Sequence, residues 1–412
     1  MFSLLKDYKE SLPVFLFNLI DRLTFVFLYV VLARIVDFEK YGLIVSIFAF
    51  VNLLLSIFDF GLPFYIQRES ANHHDIKPTI QTALHLKILS SFIMIISLLL
   101  YSKNFDFEYI LIFMIFLVNF FYALNQILIF ALNGKGLFNV NLKSALITRL
   151  PLFIFWIVVL AIFRNFQLLF FSLLLIVLIQ FLYLAKQLKI YLIDIFDAIS
   201  SNNIYTLLKK SIPFGFTVLF VMTYDKIDVL LLQMFRSNTE VAIYSSAYAL
   251  YRNSPLISGA FLIPLYTRYT INYKATKNLN ISTFLKDFLI IFSLSVSLVL
   301  ILKFFGELLI LIFYGKKFLI STGVLLSLSF ALPFLMLNNF TGVVLNSIQK
   351  EKIVMWSTFL GMVLNVSLNF ILIKLYGMSG AILTTFYTEF FVFIFQFLSI
   401  IFIAKFLKSR EI

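Results

Sequence analysis

Long apolar runs, separated by short polar stretches, fill most of the chain. Windows of about 19 residues give runs of about 17 to 26 residues, and ~20 residues of α-helix cross the ~30 Å hydrocarbon layer of a bilayer. Runs such as Phe166 to Leu184 are apolar on every side, whereas strands of a membrane barrel alternate apolar and polar residues. Because a helix satisfies its own backbone hydrogen bonds in lipid, the pattern predicts an all-α integral membrane protein.

About twelve transmembrane helices are predicted in two six-helix bundles. The predicted spans are 12–36, 42–66, 84–101, 109–132, 146–163, 167–185, 212–235, 241–266, 284–304, 319–345, 353–375 and 378–404. The longest hydrophilic stretch, 186–211, lies near the middle of the chain. We therefore expect an N-terminal bundle over 1–190, a cytoplasmic linker over 191–211 and a C-terminal bundle over 212–412.

Composition and charge agree with this topology. Hydrophobic residues make up 62% of the chain and charged residues 13%, too little charge for the surface of a soluble domain. On the side that holds both predicted termini lie 21 Lys and Arg, Lys87 and Arg149 among them, against 8 on the opposite side. The positive-inside rule then predicts cytoplasmic termini. The net charge of +13 is thereby explained without a nucleic-acid partner.

The two halves carry similar landmarks. Ser11-Leu12-Pro13 opens the first bundle and Ser211-Ile212-Pro213 opens the second, and polar turns at 132–135 and 345–350 follow the fourth helix of each half. An even number of spans per half makes such repeats parallel, related by a pseudo-two-fold axis along the membrane normal. Chance similarity among apolar helices is the alternative explanation.

Four motifs resemble one family of membrane transporters. Residues 365–373 (N-V-S-L-N-F-I-L-I) and 376–381 (Y-G-M-S-G-A) are similar to the N-x-x-L-N-x-x-L-I…G-x-x-G-A signature of polysaccharide exporters in the multidrug/oligosaccharidyl-lipid/polysaccharide superfamily. Tyr41-Gly42, Asp59-Phe60-Gly61-Leu62 and Asp225-Lys226-Ile227-Asp228 point the same way. In order and spacing, the set resembles O-antigen flippases of the Wzx type.

The resemblance implies a function and a location. Such a protein moves an undecaprenyl-diphosphate-linked oligosaccharide, an O-antigen or capsule repeat unit, across the bacterial inner membrane by alternating access. Membrane lipids would surround the protein, and no cofactor is implied. That a proton or sodium gradient drives the cycle is a separate hypothesis, which rests on Asp225 and Asp228. A polysaccharide polymerase and glycosyltransferases would be its partners.

Polar stripes on four predicted helices mark a candidate site. A charge at the bilayer centre costs about 2.5 to 3.5 kcal/mol, so these residues are expected to face a cavity or one another. Arg22 lies ten residues into its predicted span, which places it at a depth of about 15 Å in the bilayer. We expect one water-filled cavity shared by the two bundles. The stripes consist of Asn18, Asp21, Arg22, Phe25 and Tyr29; Asn52, Ser56, Asp59 and Pro63; Thr217, Tyr224, Asp225 and Asp228; and Ser245, Tyr248, Arg252, Pro255 and Gly259.

Each residue type in these stripes favours a role. Arg22, Arg252 and Lys226 are candidates to bind the diphosphate, because cations on such side chains match phosphate oxygens. The candidates for sugar contacts, which need amides, hydroxyls and aromatic faces, are Asn18, Tyr29, Tyr224 and Tyr248. The candidates for ion coupling are Asp225, Asp228, Asp21, Asp59 and Glu389. The alternative is structural ion pairing, Asp21 with Lys226 or Arg22 with Asp225.

Other classes of function fit less well. An oligosaccharide polymerase or glycosyltransferase would carry a large external loop, and G-x-S-x-G, H-E-x-x-H and G-x-x-x-x-G-K-[ST] are absent, so no enzyme is predicted. A cation-coupled drug antiporter of the same superfamily is the nearer alternative, although it would favour acidic over basic cavity residues. His73, His74 and His85 lack a fourth ligand, so no metal site is predicted.

Overall fold

The computed structural model describes residues 2–72, 75–102, 109–190 and 201–408, and every regular element within these ranges is helical. In chain order the helices are α1 (Phe2–Ile35), α2 (Phe38–Ile57), α3 (Leu62–Asn72), α4 (Lys77–Ser102), α5 (Tyr109–Gly134), α6 (Phe138–Val158), α7 (Phe166–Gln187), α8 (Ser201–Phe235), α9 (Asn238–Asn253), α10 (Leu256–Thr276), α11 (Ile281–Tyr314), α12 (Ser321–Ser329), α13 (Leu332–Ser347), α14 (Glu351–Tyr376) and α15 (Met378–Lys408). A π-helical turn, Val159–Phe163, extends α6.

The protein is an all-α membrane protein. Among the described helices, 9 are individually long and apolar enough to cross a bilayer, and α12 with α13, bent by 50°, makes up to 10. The predicted spans 212–235 and 241–266 are helical but are not among these 9 helices. The first carries Asp225, Lys226 and Asp228, and the second is divided into two shorter helices.

Three predicted spans are wrong as continuous helices, namely 42–66, 241–266 and 319–345. They break between α2 and α3, between α9 and α10, and between α12 and α13. Pro63, Pro255 and Pro333 lie at these breaks. Proline has no N–H and crowds the preceding turn, so it is tolerated at the start of a helix and breaks its interior. The apolar pattern continues across each break, which is why hydropathy did not detect them.

The described helices form two compact units. Unit 1 comprises Met1–Asp37 and Ile47–Met222, and unit 2 comprises Phe38–Ser46 and Thr223–Ile412. The predicted bundle boundaries, 1–190 and 212–412, stay a prediction. Residues 191–200 of the predicted linker lie outside the described residues, and its remainder belongs to α8.

In unit 1, the D-F-G-L motif brings two stretches of backbone close together. Within this unit α1 packs against α6, and α5 packs against α3 and α7. Between α2 and α3 the chain turns at Phe60 (φ 51°) and Gly61 (φ 70°). A Cβ on Gly61 would lie 2.3 Å from the backbone nitrogen of Gly215 on α8. The motif therefore needs glycine both for its positive φ and for this contact.

Unit 2 is built around the α14–α15 hairpin, which contains the longest signature motif. Gly377 forms the turn at φ 59°, and a Cβ on Gly380 would lie 2.1 Å from the carbonyl oxygen of Leu372. Arg236 donates from Nε to the carbonyl oxygen of Ile373 (3.1 Å), and Glu240 accepts from the N–H of Met378 (3.1 Å). The first contact caps the end of α14 and the second caps the start of α15.

Gly380→Ala is expected to destabilise unit 2 by about 1 to 3 kcal/mol, because the new Cβ collides with rigid backbone that cannot move aside. The thermal midpoint of the purified protein in detergent measures this loss. Gly323→Ala is the matched control, since Gly323 is also helical and a Cβ there would have nothing within 4 Å. Equal midpoints for the two variants would contradict the close packing at Gly380.

Candidate functional site

Arg22 lies midway along the membrane-spanning part of α1, Leu12–Ile35. Its side chain is exposed, and within the described residues it has no hydrogen bond or ion pair. Asn18, one helical turn earlier, is exposed as well. Tyr29 is half-buried, and its ring packs on Phe48 with 5.8 Å between centroids. Unit 1 therefore presents an unneutralised guanidinium beside an accessible amide.

Asp21, next to Arg22, points into the interior of unit 1 and is 9% exposed. The hydroxyl of Tyr122 on α5 donates to its Oδ2 at 2.5 Å. Nη2 of Arg149 on α6 lies 3.4 Å from its Oδ1 and donates to Oε1 of Gln180 on α7 at 2.8 Å. The carboxylate is thus neutralised by a fixed cation of its own unit.

Asp59 is paired in the same way. Nζ of Lys87 on α4 lies 2.7 Å from its Oδ1, and the Lys87 side chain is 1% exposed. The side of the membrane on which Lys87 and Arg149 were counted stays a prediction, but neither residue lies in a loop. Both lie within helices, where the adjacent carboxylate offsets the cost of burying the charge. Helices α4 and α6 begin earlier than the predicted spans at 84 and 146, because their first turns are polar and did not enter the hydropathy window.

Asp225 on α8 is the most heavily bonded carboxylate of unit 2. Nε of Arg252 lies 2.9 Å from Oδ1, and Nζ of Lys226 lies 2.9 Å from Oδ2. The hydroxyl of Tyr248 donates to Oδ1 at 3.1 Å. The two cations are about one-third exposed, at 33% and 31%. Asp225 is therefore held by two cations at once.

Asp228 and Glu389 differ from Asp225, because neutral groups hold them. Asp228 accepts from the hydroxyl of Tyr244 (2.5 Å) and from the N–H of Val229 (2.8 Å). Glu389 on α15 accepts from the hydroxyl of Tyr224 (2.5 Å) and from Nδ2 of Asn338 (2.5 Å). Each is 3% exposed, and within the described residues neither forms an ion pair.

The structure corrects the expected ion pairs. Asp21 pairs with Arg149 rather than Lys226, and Asp225 pairs with Lys226 and Arg252 rather than Arg22. In unit 2 the geometry gathers Tyr224, Tyr248, Lys226, Arg252 and the carboxylates that they contact. In unit 1 it gathers Asn18 and Arg22. The cavity shared by the two bundles stays a prediction, as do the roles of the individual residues.

The contributors that escaped the sequence interpretation include Lys87, Tyr122, Arg149 and Asn338. Two of them are cations that were placed at helix ends, and the other two are neutral donors to buried carboxylates. Lys87 and Arg149 lie near the middle of α4 and α6, and the predicted spans had begun too late to show this. His73 and His74, two of the three histidines considered for a metal, lie outside the described residues.

Comparison with known proteins gives a family match and several similar folds. The family model described as "Polysaccharide biosynthesis protein" matches residues 9–263. The lipid II flippase MurJ, in its inward closed conformation, is similar at 17% identity with a TM-score of 0.71, covering 95% of this chain and 87% of that one. No curated protein matches significantly.

Two further structures share the fold. An inward-facing multidrug resistance MATE family transporter of the MOP superfamily is similar at 15% identity and a TM-score of 0.62, covering 95% of both chains. A MOP superfamily transporter from Pyrococcus furiosus, described by its reverse polarity of the binding pocket, is similar at 15% identity with a TM-score of 0.60, again covering 95% of both chains. At these identities the likeness concerns the fold.

Proposed function

The chain belongs to the polysaccharide biosynthesis protein family, and from that premise we propose that it is a flippase for lipid-linked oligosaccharide. The substrate is an oligosaccharide on an undecaprenyl-diphosphate carrier, an O-antigen or capsule repeat unit. Translocation takes place across the bacterial inner membrane by alternating access, with both termini cytoplasmic. Glycosyltransferases act before this step, and a polysaccharide polymerase acts after it.

A single observation carries this proposal: Arg22 is an exposed guanidinium at mid-span without a described protein acceptor. A charge in that position is costly unless water or a ligand solvates it. A guanidinium presents a planar fork of donors that matches two phosphate oxygens, so an anionic head group is the natural ligand. Arg22 is therefore the primary anchor for the diphosphate.

The Asp225 cluster supplies a second, weaker anchor. Arg252 and Lys226 share one carboxylate, and about one-third of each side chain remains exposed. Their exposed cationic groups suit an anion, but each cation already has a protein partner. Sugar contacts fall to Asn18, whose amide is exposed, and to the ring faces of Tyr29, Tyr224 and Tyr248, since the last two commit their hydroxyls to Glu389 and Asp225.

Glu389 is the leading candidate for coupling transport to a proton gradient. A buried carboxylate held by neutral donors alone can be neutral or ionised without breaking an ion pair, whereas Asp225 cannot change charge without freeing two cations. Asp228, also held by neutral donors, is the second candidate. Asp59 is held by Lys87 and is the weaker choice.

A cation-coupled drug antiporter is the alternative, and the neutral hydrogen-bond donors of Asp228 and Glu389 favour it. A carboxylate without a fixed cation suits an exchangeable one, whether proton, sodium or cationic drug. The unpartnered Arg22 opposes this alternative, because a mid-span cation repels a cationic substrate.

Proteoliposomes separate the possibilities. Purified protein is reconstituted with undecaprenyl-diphosphate oligosaccharide, and flipping is measured as the fraction of sugar that becomes accessible to an added, membrane-impermeant glycosidase. We expect faster exchange than in protein-free liposomes, with oligosaccharide length unchanged. Accumulation of a fluorescent cationic drug without lipid flipping would identify the antiporter. Lengthened oligosaccharide would identify a polymerase, and no activity on either substrate would refute the proposal.

A further inference from the structure

The Asp21–Arg149 pair is the most deeply buried ion pair that the structure describes in unit 1. The Arg149 side chain is 1% exposed and bridges Asp21 on α1 to Gln180 on α7. Its Nε and Nη1 atoms are buried without a hydrogen-bond partner. Water does not solvate a guanidinium in such surroundings. Its charge must be balanced by this carboxylate, since buried charges require a counter-charge.

The surroundings of Asp21 leave it no other counter-ion among the described side chains. Tyr122 faces it from α5 and Arg149 faces it from α6, while Gln180 on α7 contacts Arg149. Arg22, on α1 itself, is exposed and forms no ion pair with Asp21. The carboxylate therefore receives one neutral donor and one permanent cation.

A buried carboxylate in a transporter can be neutralised by an exchangeable ion or by a fixed one. We propose that Arg149 is a built-in counter-cation for Asp21, so that unit 1 keeps its charge balance without taking up a proton or sodium ion at this carboxylate. Arg149 then acts through its charge: it neutralises Asp21 in the segment of α1 whose next residue, Arg22, meets the substrate. This inference rests on the proposed function only for its transport readout.

Three variants test the inference: Arg149→Met, Asp21→Asn and the double variant. Arg149→Met leaves a buried carboxylate without its cation, and such a group becomes neutral by taking a proton, so acid should restore it. Asp21→Asn leaves a buried guanidinium, which stays charged at any accessible pH, so acid should not help. The double variant removes both charges and should behave much like the wild type, because a buried ion pair is replaceable by neutral groups.

Flipping rates relative to wild type are measured at about pH 7.5 and about pH 5.5, with the thermal midpoint of each variant in detergent as a parallel readout. We expect both single variants to lose at least about tenfold in rate at the higher pH, and the double variant to remain within about threefold of wild type. At the lower pH the Arg149→Met rate should rise at least about threefold relative to wild type, while Asp21→Asn stays low.

Three results would overturn the inference. They are a wild-type rate for Asp21→Asn, the same response of both single variants to pH, and loss of gradient-driven transport in the double variant. The last would mean that Asp21 itself carries the coupling ion. The thermal midpoints need no substrate, so the same order of stabilities and the same acid rescue of Arg149→Met would support the inference even if the protein did not flip lipid-linked sugar.

Discussion

Arg22→Ala is expected to lower the flipping rate about 100-fold, the largest loss among single changes in the candidate substrate-binding residues. The guanidinium has no described acceptor within the protein, so the bond that it makes in the loaded state goes to the substrate. Charge-assisted hydrogen bonds contribute roughly 1.5 to 3 kcal/mol, and a bidentate pair at the upper end of this range corresponds to about two factors of ten. The glycosidase-accessibility assay in proteoliposomes measures the change.

Matched variants make the result specific to the position. Arg34→Ala removes the same group from the last turn of the same helix and should leave the rate near wild type. Arg22→Lys keeps the charge but loses the fork of donors, so its rate should be intermediate. Arg252→Ala should cost less than Arg22→Ala, because Asp225 retains Lys226 as its counter-ion. A normally folded Arg22→Ala protein that flips at the wild-type rate would remove Arg22 from the substrate site.

The second large effect concerns the driving force. Glu389→Gln is expected to abolish the acceleration of transport by an imposed proton gradient, leaving only the rate seen without a gradient. Glutamine has nearly the same shape and still accepts a hydrogen bond from Tyr224, but it cannot bind and release a proton. Parallel measurements with proton and sodium gradients identify the ion.

The control for this variant is Glu307→Gln, which makes the same substitution at an exposed residue of α11. It should respond to the gradient like the wild type. If Glu389→Gln also kept its full response, coupling would have to occur at another carboxylate, and Asp228 would be next because its donors are likewise neutral. A wild-type protein indifferent to both gradients would exclude coupling altogether.

The four motifs show where sequence and structure agree and for what reason. Gly61, Gly377 and Gly380 are each required by a backbone contact or a positive φ within their own unit. Such glycines reflect local geometry, which a short pattern records well. The predicted membership in an exporter superfamily agrees with the family match.

Membrane class, helical structure and most span positions followed from the chain alone, because the thickness and polarity of a bilayer impose a length and a composition on each segment separately. The breaks at Pro63, Pro255 and Pro333 and the partners of the intramembrane charges did not follow. Arg149 and Asp21 are 128 residues apart, and Lys87 and Asp59 are 28 apart. Hydropathy can register that a charge is present in a span, but its counter-ion is chosen by helix packing, which brings distant positions within hydrogen-bonding distance.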